Sequence, residues 1–91
     1  MKRITYNDLE CALCMEKEVV CSSVKTVKKK GRYLAYSFET VIAVRENSKW
    51  YLNEHYYSKT TSKLQNLVKE VSRSWVGYLN EEDFYQHLNL Q

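Results

Sequence analysis

One apolar stripe constrains this chain more than any other feature. After Ser58, residues Leu64, Leu67, Val68, Val71 and Trp75 recur at i, i+3, i+4, i+7 and i+11, while Lys63, Lys69, Glu70 and Arg73 fill the remaining faces. This spacing lines one side of an α-helix, and such a side is stable only when buried against another element. Ser58, Thr60 and Thr61 each offer a hydroxyl to the orphan N–H groups of the first turn. Gly77 is placed to end the helix with a positive-φ cap.

The surface that this helix needs is read from the middle of the chain. Between Arg32 and Arg45 the even-numbered residues Leu34, Tyr36, Phe38, Thr40, Ile42 and Val44 are nearly all apolar, whereas Ser37, Glu39 and Arg45 are polar. A period of two predicts a strand whose even set faces the cover, long enough to need a bulge or bend near Glu39-Thr40. Upstream, Val19, Val20, Val24, Thr26 and Val27 are β-branched and strand-forming, and Lys28-Lys29-Lys30-Gly31 supplies a polar turn. Downstream, Glu46-Asn47-Ser48 turns the chain into a third, aromatic-rich strand over Lys49 to Tyr57. Connections this short require antiparallel neighbours.

Two shorter helices complete the pattern. Leu9, Ala12 and Leu13 give Tyr6 to Lys17 one apolar side, with Thr5 or Asn7 as its cap. Asn80 followed by Glu81, Glu82 and Asp83 starts a last helix with Phe84 and Leu88 turned inward. The order α-β-β-β-α-α predicts a single α+β domain over residues 1–91. Its expected form is a small three-stranded antiparallel sheet with an N-terminal helix and one or two C-terminal helices packed on one face. The opposite sheet face is then wet or covered by a partner, and Tyr33, Ser37, Glu39, Tyr51 and His55 are candidates to lie on it.

Composition narrows the function classes. Of 91 residues, 44% are hydrophobic and 27% charged, which excludes disorder and leaves too little mass for a deep, well-supported catalytic cleft. No apolar run approaches the ~18 residues of a membrane span. Asn7, Asp8 and Glu10 follow Met1-Lys2-Arg3 where the apolar part of a signal peptide would have to be. Three cysteines, an odd number, cannot close a complete set of disulfides. A cytoplasmic protein without membrane contact is expected.

Catalytic and metal-binding groups are sparse. Cys11 and Cys14 form a C-x-x-C pair, but zinc needs four ligands, and Cys21, His55 and His87 supply no second close pair. The two thiols therefore read as half-buried packing residues, and no metal or cofactor is predicted. His55 and His87 are the only imidazole bases and neither lies near a nucleophile motif, so no catalytic residue is assigned and a non-enzyme is expected.

Recognition is better supplied. Lys25, Lys28, Lys29, Lys30 and Arg32 fall in a stretch with no acid between Val19 and Ser37, on a chain of net charge +3. Such a run either meets phosphates or an acidic protein surface, or forms a solvated turn that discourages strand aggregation. Eight tyrosines exceed the needs of so small a core, and Trp50, Tyr51, Tyr56 and Tyr57 form the densest group. Trp50 and one tyrosine are expected to pack under the second helix. The candidate partner-binding set is Lys25, Lys28, Lys29, Lys30, Arg32, Tyr33, Tyr51, Tyr56 and Tyr57.

Three segments, Tyr36 to Ala43, Trp50 to Asn53 and Tyr57 to Gln65, together resemble a family of short uncharacterised bacteriophage proteins. The shared pattern is an S-Y-x-T-x-I-A strand, a tryptophan-bearing strand and a Y-S-x-T-T-S-x-h-Q helix start. Phe38 stands where that family has Tyr, and Leu64 where it has His. Glu81-Glu82-Asp83-Phe84-Tyr85 is similar to the tail of an anti-CRISPR inhibitor. The resemblance implies a small phage-type protein, in the host cytoplasm, that binds and inhibits a host protein or ribonucleoprotein such as a CRISPR effector. The residues themselves keep an alternative open, a nucleic-acid-binding accessory protein that uses the Lys-rich hairpin. An open sheet edge would also permit a homodimer.

Overall fold

The computed structural model describes residues 2–47, 49–72 and 76–89; Ser48, Arg73 and Trp75, which carried expectations above, lie outside them. The described elements run β1 (Lys2–Arg3), α1 (Tyr6–Cys14), β2 (Val19–Cys21), β3 (Val24–Lys29), β4 (Arg32–Ser37), β5 (Thr40–Glu46), β6 (Lys49–Asn53), α2 (Lys59–Ser72), β7 (Val76–Leu79) and α3 (Glu81–Asn89). Among the described residues seven strands form one mixed sheet, ordered β1 to β7 as in the sequence. Strands β2 to β6 are an antiparallel meander. Each edge adds one parallel strand, β1 beside β2 and β7 beside β6. The fold is α+β, but the expected small, purely antiparallel three-stranded sheet is overturned.

Tight reversals account for much of the difference. The upstream strand is cut at Ser22, whose φ of +53° turns β2 into β3. The long strand expected from Arg32 to Arg45 is a hairpin, reversed at Phe38-Glu39 with Phe38 at φ +57°. Its bulge lies in the second arm. Ala43 faces Ala35 and Val41 faces Tyr36, so Ile42 is the extra residue and joins Ala43 in the same core. At the β3–β4 turn, Lys30 (φ +53°) and Gly31 (φ +79°) are both left-handed, as a two-residue type I′ loop requires. Gly77 does not cap α2. It sits within β7, where an added Cβ would stand 3.2 Å from Cδ1 of Tyr51.

Both faces of the sheet are covered. On one, Leu9, Ala12 and Leu13 of α1 and Leu64, Leu67 and Val68 of α2 pack over Tyr33, Ala35, Ile42, Ala43, Trp50 and Leu52. Ser58 caps α2 as the sequence suggested, its Oγ accepting from the Thr61 N–H at 3.2 Å. Thr61 is itself buried, and its hydroxyl meets that of Ser37 at 2.8 Å, which ties the helix start to the end of β4. On the other face, α3 lays the fully buried Phe84 against Leu34 and Val44, with Tyr51, Leu79 and Leu88 around it. Asn80 caps this helix through the Asp83 N–H at 2.8 Å, again as expected. The helices therefore do not share one face. The odd set of β4 and the even set are both interior, against different helices.

Two substitutions separate packing from backbone strain. Phe84→Ala empties the centre of the second core and should cost about 3–5 kcal/mol in urea denaturation. Phe38→Gly loses little packing, because the ring is 65% exposed, and frees a left-handed backbone from its Cβ. It should raise stability by about 1 kcal/mol in the same assay.

Candidate functional site

The β3–β4 hairpin places the basic run. Cross-strand register puts Lys25 opposite Tyr36, Val27 opposite Leu34 and Lys29 opposite Arg32, all on the α3 side of the sheet. Lys28 alternates to the other side, and Lys30 occupies the turn. Lys25, Lys28, Lys29 and Lys30 are exposed, and none forms an ion pair among the described residues. Lys25 instead holds its ammonium 5.5 Å from the centre of the Tyr36 ring. The backbone N–H of Lys28 donates to Glu18 Oε2 at 2.8 Å, which brings one carboxylate to the hairpin.

Beside this hairpin lies a groove of about 420 Å³. Lys29, Lys30 and Arg32 rim it, Leu34, Tyr36 and Val41 floor it, and Leu88 and Asn89 at the end of α3 wall it. The wall is held by Arg32. Its Nε donates to Glu46 Oε2 at 3.0 Å, and its two terminal nitrogens donate to the carbonyls of Leu88 (2.9 Å) and His87 (3.2 Å). Glu46 Oε1 meets His87 Nε2 at 2.7 Å, and the His87 ring stacks on Tyr51 with centroids 4.2 Å apart. Arg32 is thus only 9% exposed, with its guanidinium bound to Glu46 and the end of α3.

The aromatic candidates divide in the same way. Tyr33 is fully buried under α1 and α2, because its strand position points to the first core; its hydroxyl donates to the Lys17 carbonyl at 2.7 Å. Ser37 is buried on that face too. Tyr51 is half-buried beneath His87, and Tyr56 is 65% exposed. Tyr57 is half-buried; its hydroxyl donates to Glu81 Oε2 and accepts from Asn53 Nδ2 at 2.9 Å. The open tyrosine face expected from the sequence does not exist, since α3 lies across it.

Tyr57 belongs to a polar cluster with Asn53, His55, Gln65 and Glu81. Asn53 is fully buried, its Oδ1 accepts from the His55 N–H, and Gln65 Nε2 donates to the carbonyls of Asn53 (2.7 Å) and His55 (2.9 Å). Burial, then the hydrogen bonds to Glu81 and Tyr85, push the Tyr57 phenol well above its ordinary value. A phenol held neutral in this way is a poor base, and the cluster works as a fastening between the loop before α2 and the start of α3. Cys11 and Cys14 are exposed on α1, not half-buried, and Cys21 is the buried thiol. No three His, Cys, Asp or Glu side chains among the described residues are grouped to hold a metal ion.

Sequence reading set Leu34 and Tyr36 on the covered face and left Val41 unassigned; Leu34 is buried in the second core, whereas Tyr36 and Val41 are half-buried beside the groove. The signal for them was available in the alternation Lys25, Val27, Lys29, which marks a strand side both charged and apolar. No described helix is long and apolar enough to cross a membrane. A family of unknown function (DUF8033) matches the chain over residues 8–83. No curated protein and no solved structure matches it.

Ionisation gives a test of the Tyr33 and Tyr57 phenols. Burial raises Tyr33 as well as Tyr57, so both keep their protons in the folded chain above the pH at which an unfolded tyrosine, near 10, loses its own. Their contribution is complete below about pH 10 and declines as pH rises from there towards the folded values. Urea midpoints measured from about pH 8 upwards should fall beyond pH 10, and Tyr57→Phe should make that fall shallower.

Proposed function

We propose that this chain, which belongs to the DUF8033 family of unknown function, is a non-enzymatic binding module that engages nucleic acid through the β3–β4 hairpin. The observation that carries this reading is the set of four lysines, Lys25, Lys28, Lys29 and Lys30, exposed on one hairpin and forming no ion pair among the described residues. Exposed cations gathered on one hairpin are an electrostatic footprint for phosphates. Arg32, which a phosphate site would otherwise recruit, is spent on holding α3 and leaves the lysines as the free charges.

A second reading has a host protein or ribonucleoprotein as the partner, in keeping with the resemblance to phage proteins. Phe38 and Tyr56, each 65% exposed, favour it, because isolated rings at turns and loops are efficient protein anchors.

Fluorescence anisotropy with labelled oligonucleotides tests the first reading. Binding should weaken steeply between about 50 and 200 mM salt, with a log–log slope near −3 for four phosphate contacts. Replacing the four lysines by Gln should abolish it without lowering the urea midpoint, since none is buried. Salt-insensitive titration, or full binding by the Gln variant, would overturn the nucleic-acid reading and leave the protein partner.

A further inference from the structure

We infer that the groove beside the hairpin seats an unpaired base, so that the nucleic acid bound is single-stranded. The inference rests on the nucleic-acid reading above and adds the class of strand and the residue that selects it.

Charge alone does not separate a duplex from a single strand, because both carry phosphates. The groove does. Lys25 and Lys29 lie on the same side of β3, four residues and so roughly 13 Å apart, far enough to hold different phosphates of one strand. Between them and α3, Leu34, Tyr36 and Val41 set an apolar and aromatic patch among the polar side chains of the groove. A duplex keeps its bases stacked inside and would meet this surface only with phosphates and base edges. A single strand can turn a base inward and set its face on a ring, an interaction that tolerates any base.

Tyr36 is the ring in position to do this. It is half-buried on the strand, and the Lys25 ammonium lies over its ring, 5.5 Å from the centroid, a place that a seated base takes by moving this flexible side chain towards a phosphate. Asn89, exposed on the wall, offers amide donors and acceptors towards a base edge. Leu88 closes the apolar end. The groove volume, about 420 Å³, lies within the range of roughly 300–1,000 Å³ typical of sites for small organic groups.

The experiment compares a labelled oligothymidylate with a duplex of equal length, on the full chain and on two variants. Wild type should bind the single strand at least about tenfold more tightly, the range that one stacked base supplies. Tyr36→Leu, which keeps apolar volume on the strand and removes the ring, should lose that preference while its duplex affinity and salt slope stay unchanged. Tyr36→Trp should retain it. Equal affinity of wild type for the two forms, or a Tyr36→Leu variant that weakens both alike, would overturn the base-seating inference and leave the hairpin reading intact. Absence of binding to either form would overturn both.

Discussion

The carboxylate of Glu46 decides what surface this protein has. It accepts from Arg32 at 3.0 Å on one oxygen and meets His87 at 2.7 Å on the other, joining β4, β5 and the last turn of α3. Arg32 then reaches past it to the terminal carbonyls of the helix, which have no partner within the helix and sit at the negative end of its dipole. A guanidinium suits this place because its planar fork can serve a carboxylate and two carbonyls together, which an ammonium on a flexible stem cannot. At the other end, Tyr57 holds Glu81 and Asn80 caps the helix. With both ends fastened and Phe84 buried between them, α3 closes the second face of the sheet. What stays open lies at its margin, beside the hairpin.

The placement of α1 and α2 follows from connectivity. Four antiparallel pairings separate β2 from β6, so these two strands run the same way. The crossovers β1–α1–β2 and β6–α2–β7 each join parallel neighbours and step in the same direction across the sheet. Crossovers of one hand, on strands of one direction, must put their helices on one face. The common core of α1 and α2 meets that requirement. The opposite face is then free of any helix until the chain leaves β7, and α3 is the only described element still available to cover it.

Local chemistry was legible in the sequence, and layer assignment was not. Ser58 and Asn80 were recognisable as caps because a cap needs only its own hydroxyl or amide and an N–H three residues on. The stripe of α2 was legible for the same reason, since Leu64, Leu67 and Val68 declare their side by spacing. The β4–β5 hairpin was misread as one strand because Phe38 gives no turn signal; a bulky residue at φ +57° is a conformation that sequence preference argues against. The two edge strands were missed on different grounds. Lys2–Arg3 is too short and polar to show a period, and Val76–Leu79 contains the glycine that reads as a helix end. Tyr33 was assigned to an outer face because the even set looked like the covered one, whereas Tyr33 and Ala35 beside Leu34 form the near-continuous apolar run of a strand buried on both sides.

The same layering explains why the basic run matters more than the modest net charge suggests. The chain carries fourteen basic and eleven acidic residues, and five of the fourteen lie between Val19 and Ser37, where no acid occurs. Outside that stretch acids outnumber bases by two. One of the five, Arg32, is turned inward by its register on β4 and neutralised by Glu46. The other four stay outside, since Lys25 and Lys29 stand on a strand side that α3 reaches only at its C-terminal end, Lys28 is exposed on the opposite side and Lys30 is at the turn itself. Had α3 extended one strand further, Lys25 and Lys29 would be buried charges without partners, which a small domain cannot sustain. The boundary of the helix and the position of the lysines are therefore one constraint, and it is this boundary that leaves Tyr36 at the bottom of an open, cationic groove.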